Sequence, residues 1–128
     1  VRKRESRLSP GPIPQSGPDI AFEEAIAFLN ADQYEHLARQ VRELASQDDP
    51  THSRTVDVRP IQDFYEIRDK GGILRPFNVR VFFFVHHDVR RIVILGAIHK
   101  QNNGPTPTGE RLKMNRRMRL YRESLETP

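Results

Sequence analysis

Apolar side chains recur at helical spacing in the first third of the chain. Phe22, Ile26 and Leu29 are three or four positions apart, which predicts a short helix with one apolar face. Asp19 follows a proline and is a suitable N-cap. We expect this helix to end near Asn30.

A second helix is predicted directly after the first. Asp32 is its candidate N-cap, and the helix should stop before Pro50, because proline cannot continue it. Its apolar stripe consists of Tyr34, Leu37, Val41 and Leu44. The two helices predict a helical hairpin that packs on a flat element.

The pattern then changes to strand signals. One or two short strands are indicated by Val56, Val58, Phe64, Tyr65 and Ile67. Residues 78–86 and 90–98 are rich in Val, Ile and Phe and predict a hairpin around a polar turn at His87 and Asp88. Alternation sends Val79, Val81, Phe83 and Val85 to one face. It sends Arg80 to the other face, with Phe82, Phe84 and His86.

A final helix is predicted after a loop at residues 101–105. Thr106 is its candidate cap, with Pro107 at the first helical position, and the helix should run to about Leu125. Its apolar seam is Met114, Met118, Tyr121 and Leu125. Its other sides carry Arg111, Lys113, Arg116, Arg117, Arg119 and Arg122. The predicted fold class is α+β: a helical hairpin on a three- to four-stranded antiparallel sheet, followed by a basic helix.

Residues 1–18 differ in composition from the rest. They hold four basic residues and four prolines with few aliphatic ones, which predicts an extended N-terminal arm and a poor strand. Residues 19–128 are predicted to form one domain, because 128 residues with 36% hydrophobic composition supply a single core.

Composition excludes several classes of function. The chain has no cysteine, so disulfides, thiolate catalysis and cysteine-based zinc sites are ruled out. The strongly apolar run at residues 79–85 is interrupted by Arg80 and is too short to cross a bilayer. We therefore expect a cytoplasmic protein without membrane insertion.

Charge is divided unevenly along the chain. The net charge is +4, but residues 19–69 hold 12 acidic and 5 basic residues, whereas residues 89–128 hold 3 acidic and 9 basic ones. This division predicts a basic face, which is either ordinary solvated surface or a surface that binds a polyanion.

Three segments resemble the sheet of the RelE-superfamily toxins, particularly the phage-derived, HigB-like branch. They are residues 64–68 (FYEIR), 78–85 (NVRVFFFV) and 92–100 (IVILGAIHK). In that family a Glu-Ile-Arg or Glu-Leu-Arg strand precedes an arginine-containing aromatic strand, and an apolar strand then ends in lysine before a basic helix. The resemblance covers about residues 20–125 and implies a RelE-like fold. The family usually begins with a strand, which the four prolines of residues 1–18 disfavour.

The resemblance implies the toxin of a type II toxin–antitoxin system. Such a protein is a ribosome-dependent mRNA endonuclease whose partners are mRNA on the ribosome and a cognate antitoxin. The 2′-hydroxyl of the RNA is the nucleophile, so neither a metal nor a cofactor is expected. The protein must align the ribose and stabilise the charge of the phosphorane.

The resemblance implies three site residues, and a fourth is a candidate because it lies beside the last of them. Arg68 and Arg80 match the two family arginines and are expected to contact the scissile phosphate, since a guanidinium donates two parallel hydrogen bonds. Lys100 matches the lysine after the last strand and adds positive charge. His99 is a candidate general acid or base, but adjacent strand positions face opposite sides, so His99 and Lys100 face the same site only if the strand has ended.

Other interpretations stay open at this point. Arg68 is equally compatible with a pairing to Asp63 or Asp69, and Arg80, a charged residue inside an apolar strand, needs either a partner or a function. Residues 86–88 (HHD) favour a plain turn over a metal site. Lys113, Arg116 and Arg117 are expected to dock RNA, although a basic helix face is also common on ordinary surfaces.

Two rival functions use the same fold. A ParE-like protein inhibits DNA gyrase and lacks nuclease residues, and an inactive RelE-fold module binds nucleic acid or protein without cleavage. Convergence of Arg68, Arg80 and Lys100 or His99 in an open concave patch favours the nuclease. Burial of Arg80 in a salt bridge argues against it.

Overall fold

A computed structural model describes residues 9–11, 20–102 and 104–126. Three helices are present in these residues: α1 (Ile20–Ile26), α2 (Ala31–Ala45) and α3 (Thr108–Glu126). The strands are β1 (Ser9–Gly11), β2 (Val58–Ile61), β3 (Phe64–Lys70), β4 (Asn78–His86) and β5 (Arg91–Lys100). They form one sheet in the order β1-β5-β4-β3-β2. The α+β class is confirmed.

The four strands β2 to β5 are antiparallel neighbours, as the hydrophobic pattern predicts. The fifth strand is a correction, because the N-terminal arm was predicted to make a poor strand. Ser9–Gly11 runs parallel to β5 and pairs with its first three residues. Proline has no backbone N–H to donate. Pro10 is tolerated in β1 because this is an edge strand, and no further strand on its outer side needs that hydrogen bond.

The two faces of the sheet carry separate apolar clusters. Val79, Val81 and Phe83 pack with Ala25 of α1, with Leu29 in the connection between the two helices, and with Leu37 and Leu44 of α2. Phe82 and Phe84 lie on the opposite face and pack with Met114, Met118 and Tyr121 of α3. The alternation predicted for β4 is confirmed, and Arg80 therefore lies on the face that α3 covers.

The start of α2 differs from the prediction. Asn30, not Asp32, is the N-cap: its side chain accepts from the Gln33 backbone, and the Gln33 side chain accepts from the Asn30 backbone, at 2.8 and 2.9 Å. This reciprocal capping box satisfies two backbone donors that the first turn leaves without helical partners. Asp32 lies inside the first turn.

The C-terminal helix begins at Thr108, so Thr106 is not its cap. Met114, Met118 and Tyr121 are buried as predicted, whereas Leu125 is 51% exposed, and the apolar seam ends one turn early. No helix in the described part of the chain is long and apolar enough to cross a membrane.

An ion pair closes the edge of β5 beyond its pairing with β1. Glu24 of α1 accepts from the Ala97 backbone N–H at 3.1 Å, and Arg117 of α3 donates to the Leu95 carbonyl at 2.8 Å. Arg117 Nη2 and Glu24 Oε2 are 2.8 Å apart. Burial raises the pKa of Glu24, but the hydrogen bonds and charges around it outweigh burial and leave this pKa lowered. The pair therefore joins two helices to a strand edge.

Candidate anion-binding site

Arg68 and Arg80 lie directly opposite each other on β3 and β4. The register of the antiparallel pair places both side chains on the face of the sheet that packs against α3. Two like charges at such a position repel each other. Their surroundings show how the sheet accommodates them.

The Arg80 guanidinium is almost completely enclosed. The residue is 2% exposed, and it donates to the Thr106 hydroxyl at 2.9 Å and to the Gly104 carbonyl. Both acceptors are neutral, and within the described residues Arg80 makes no direct ion pair with a carboxylate. Burial lowers the pKa of Arg80, Glu66 opposes that effect, and Arg68 and Arg59 add to it. The guanidinium still keeps its charge, since arginine does not deprotonate in proteins.

Glu66 is the buried acid of this cluster, with 1% exposure. One carboxylate oxygen accepts from Arg68 Nε at 2.7 Å, and the other accepts from the Thr106 hydroxyl at 2.6 Å. Thr106 thus stands between Glu66 and Arg80. The carboxylate is hydrogen-bonded to Arg68 and reaches Arg80 only through that hydroxyl.

A pocket of about 250 Å³ opens beside the arginines. Its lining residues are Asp57, Arg59, Arg68, Asp69, Lys70, Asn78, Val79 and Arg80. Asp57 and Arg59 form a double contact at 3.1 Å at its exposed side. We call this arrangement the arginine pocket, namely the lining residues together with Glu66 and Thr106 behind them. The face of Arg80 carries the four cationic side chains of this pocket (Arg59, Arg68, Lys70 and Arg80) and two acidic ones (Asp57 and Glu66), an excess of positive charge.

Arg68 pairs with Glu66 instead of Asp63 or Asp69. Asp69 is adjacent to Arg68 in the strand and therefore faces the other side of the sheet, where His36 and Gln40 of α2 contact it at 2.8 and 3.0 Å. Glu66 is two positions from Arg68 and shares its face.

Lys100 and His99 are separated by the sheet. Lys100 is opposite Asn78 and lies on the face of Arg80, although it does not line the arginine pocket. His99 lies on the other face, where its ring centroid is 4.7 Å from that of Phe28 and 5.1 Å from that of Phe77. The structure brings Arg68 and Arg80 together, but neither Lys100 nor His99 joins them in the pocket, so the convergence predicted for a nuclease is met only by the two arginines.

The three α3 cations predicted to dock RNA differ in accessibility. Arg117 is held by Glu24 at the β5 edge, and its side chain is 14% exposed. Lys113 contacts Glu24 at 3.6 Å and Glu110 at 3.1 Å. Arg116 is exposed to solvent.

The histidines around the β4–β5 turn do not converge. His87–Val89 forms a short 3-10 turn, and the His86 ring contacts the Tyr121 hydroxyl at 3.1 Å. Within the described residues there is no group of three or more His, Cys, Asp or Glu side chains arranged to hold a metal ion.

Comparison with known proteins adds no family name: neither a protein-family model nor a curated protein sequence matches this chain. The fold and the site define an α+β domain with a partly buried cluster of arginines at one end of its sheet.

Glu66 and Thr106 were not predicted as site residues. Alternation along β3 was the available signal for Glu66, because it places the acid on the face of Arg68.

Proposed function

We propose that this chain is a RelE-like toxin domain that binds RNA phosphate in the arginine pocket and cleaves mRNA on the ribosome. The observation that supports this most is the buried Arg80, whose bonded acceptors among the described residues are neutral. A buried charge is costly unless an opposite charge compensates it. Glu66 compensates the charge in part through Thr106, and an anion in the adjoining pocket would add to that compensation.

The chemistry of the pocket favours a phosphodiester. Arg68 lines it beside Arg80, and planar guanidinium groups match the paired oxygens of a phosphate. The excess of positive charge on this face also favours an anionic ligand. Lys100, on the same face, extends the positive charge toward a neighbouring phosphate.

Cleavage in this proposal uses the 2′-hydroxyl of the RNA as the nucleophile. The O2′–P bond forms as the P–O5′ bond breaks, the 2′-hydroxyl gives up its proton to water, and O5′ takes one up from water, which leaves a 2′,3′-cyclic phosphate and a 5′-hydroxyl. The arginines contribute by stabilising the extra negative charge on the phosphorane, the type of term that is often largest in enzyme catalysis. The proposal includes an antitoxin partner, for which the outer edge of β2 offers backbone groups for strand addition.

A second candidate is a RelE-fold module that binds RNA without cleaving it. His99 favours this candidate, because the predicted general acid or base lies on the opposite face of the sheet from the arginines. Binding through Arg68 is common to both candidates, and cleavage distinguishes them.

The test is induced expression followed by mapping of mRNA 5′ ends. The wild type is compared with Arg68→Gln and with Arg39→Gln, a control of equal charge change on α2, where Arg39 has a 66% exposed side chain. Growth arrest with breaks inside translated codons, lost in Arg68→Gln but kept in Arg39→Gln, supports the nuclease. Intact mRNA with RNA binding supports the inactive module. Gyrase-linked DNA breaks with intact mRNA would replace both with a ParE-like inhibitor.

A further inference from the structure

Thr106 has an unusual place between two buried charges of opposite sign. Its hydroxyl donates to Glu66 at 2.6 Å and accepts from Arg80 at 2.9 Å, and the residue is 5% exposed. A hydroxyl has a single hydrogen, so donation to Glu66 leaves only its lone pairs for Arg80. The direction of both hydrogen bonds is therefore fixed by the charges on either side.

The hydroxyl also sets the spacing of the cluster. Glu66 bonds directly to Arg68 with one oxygen and to Thr106 with the other, so each carboxylate oxygen has a partner other than Arg80. Arg80 is consequently bonded to neutral groups within the described residues while the nearby acid is committed elsewhere. This arrangement keeps the charge of Arg80 available to the pocket that it lines.

We infer that Thr106 is a positioning residue for the arginine pocket, and this inference rests on the proposed RNA binding. Its hydroxyl holds Glu66 and Arg80 apart, so that the two form no direct ion pair and an RNA phosphate can contact Arg80 from the pocket that it lines. Without the hydroxyl, Glu66 and Arg80 are each left with one unsatisfied group. Glu66 and Arg80 then form a direct ion pair with each other, which removes one cation from the pocket.

The experiment uses three substitutions at this position. Thr106→Val keeps the shape and removes the hydroxyl, whereas Thr106→Ser keeps the hydroxyl and removes a methyl group. Thr106→Ala is a smaller variant that is measured in the same way if the valine variant does not fold. The probe is a single-stranded RNA oligonucleotide with 2′-O-methyl sugars, which lacks the nucleophile and cannot be cleaved by the proposed reaction.

Affinity is measured at several salt concentrations for each folded variant. We expect Thr106→Val to bind about tenfold more weakly than the wild type, the loss of roughly one charge-assisted hydrogen bond. The slope of log affinity against log salt should become shallower by about 0.7, the contribution of one cation to a single-stranded complex. Thr106→Ser should keep both the affinity and the slope of the wild type.

Several outcomes overturn the inference while leaving the proposed function intact. One is wild-type affinity and slope in a folded Thr106→Val or Thr106→Ala protein that still depends on Arg68. Another is equal loss of affinity in the serine and valine variants. Unfolding of both Val and Ala variants, when Ser folds, assigns the hydroxyl to stability alone. If the wild type itself does not bind the RNA, the proposed function fails and the inference fails with it.

Discussion

Arg68 and Arg80 form a cross-strand pair of like charge, directly opposite each other on β3 and β4. Such a pair destabilises a sheet unless neighbouring groups offset the repulsion. Glu66 bonds to Arg68 directly and to Arg80 through Thr106, which offsets part of it. The remaining positive charge lies where the pocket opens, and this relationship is the structural basis for the proposed anion site.

The ion pair at the β5 edge predicts a pH-dependent contribution to stability. The pKa of Glu24 is lowered in the folded chain from an ordinary value of 4.5. Its contribution should therefore be fully present above that value and lost as the pH falls through the lower, folded-state pKa. At neutral pH, Glu24→Gln should reduce the free energy of unfolding by roughly 1.5–3 kcal/mol, measured by urea denaturation.

Glu23→Gln is the matched control for that measurement, because Glu23 is the exposed neighbour on the same helix. We expect little change for Glu23→Gln at any pH. The difference in the free energy of unfolding between wild type and Glu24→Gln should shrink as the solution is acidified. A difference that stays constant through acid pH would mean that the carboxylate charge has no part in closing the edge.

Gly96 is predicted to be intolerant of a side chain. An added Cβ would lie 2.5 Å from Met114 Cε, 2.7 Å from Arg117 Nη1 and 2.7 Å from Glu24 Oε1. Gly96→Ala should destabilise the fold by about 1–3 kcal/mol, since a packed site must move to accept the methyl group. Thermal unfolding provides the measurement.

Gly109 offers the opposite case in α3, because an added Cβ there would meet no heavy atom within 4 Å apart from its chain neighbours and the backbone of the helix itself. Gly109→Ala should leave stability unchanged or raise it by up to about 1 kcal/mol through helix propensity. Equal changes in stability for Gly96→Ala and Gly109→Ala would show that close packing around Gly96 does not determine whether this position accepts a side chain.

The capping box of α2 predicts unequal effects for two nearby polar residues. Asn30→Ala should cost about 1 kcal/mol, the usual value of an N-cap. Asp32→Ala should cost less, because Asp32 lies in the first turn, where it contributes mainly through the helix dipole. Chemical denaturation of both variants makes the comparison, and a larger loss for Asp32→Ala would identify Asp32 as the functional cap.

The faces of the central strands were predictable because a strand has a period of two. Once Phe82 is assigned to a face of β4, Arg80, two positions away, is predicted to lie on the same face. The structure places both on the side of α3. The same rule gave the separation of His99 from Lys100. Helix positions were predicted less well, since Asn30 and Asp32 are both good capping residues and only the backbone geometry selects one.

The contacts within the site could not be predicted in the same way. Thr106 reaches Glu66 across 40 positions of sequence, and its hydroxyl was expected to cap a helix. Arg117 was expected to face RNA, but Glu24 lies 93 positions away and holds it at the sheet edge. Such pairings depend on how the helices dock on the sheet, which local patterns do not encode.

The most direct test of the central claim is the affinity of the protein for single-stranded RNA, measured for wild type, Arg68→Gln and Arg39→Gln across a range of salt concentrations. The two variants carry the same charge change, but only Arg68 lines the arginine pocket. We predict about a tenfold or greater loss for Arg68→Gln, with a shallower salt dependence, and wild-type behaviour for Arg39→Gln. Equal binding by all three proteins, or equal loss in both variants, would contradict phosphate binding in the arginine pocket.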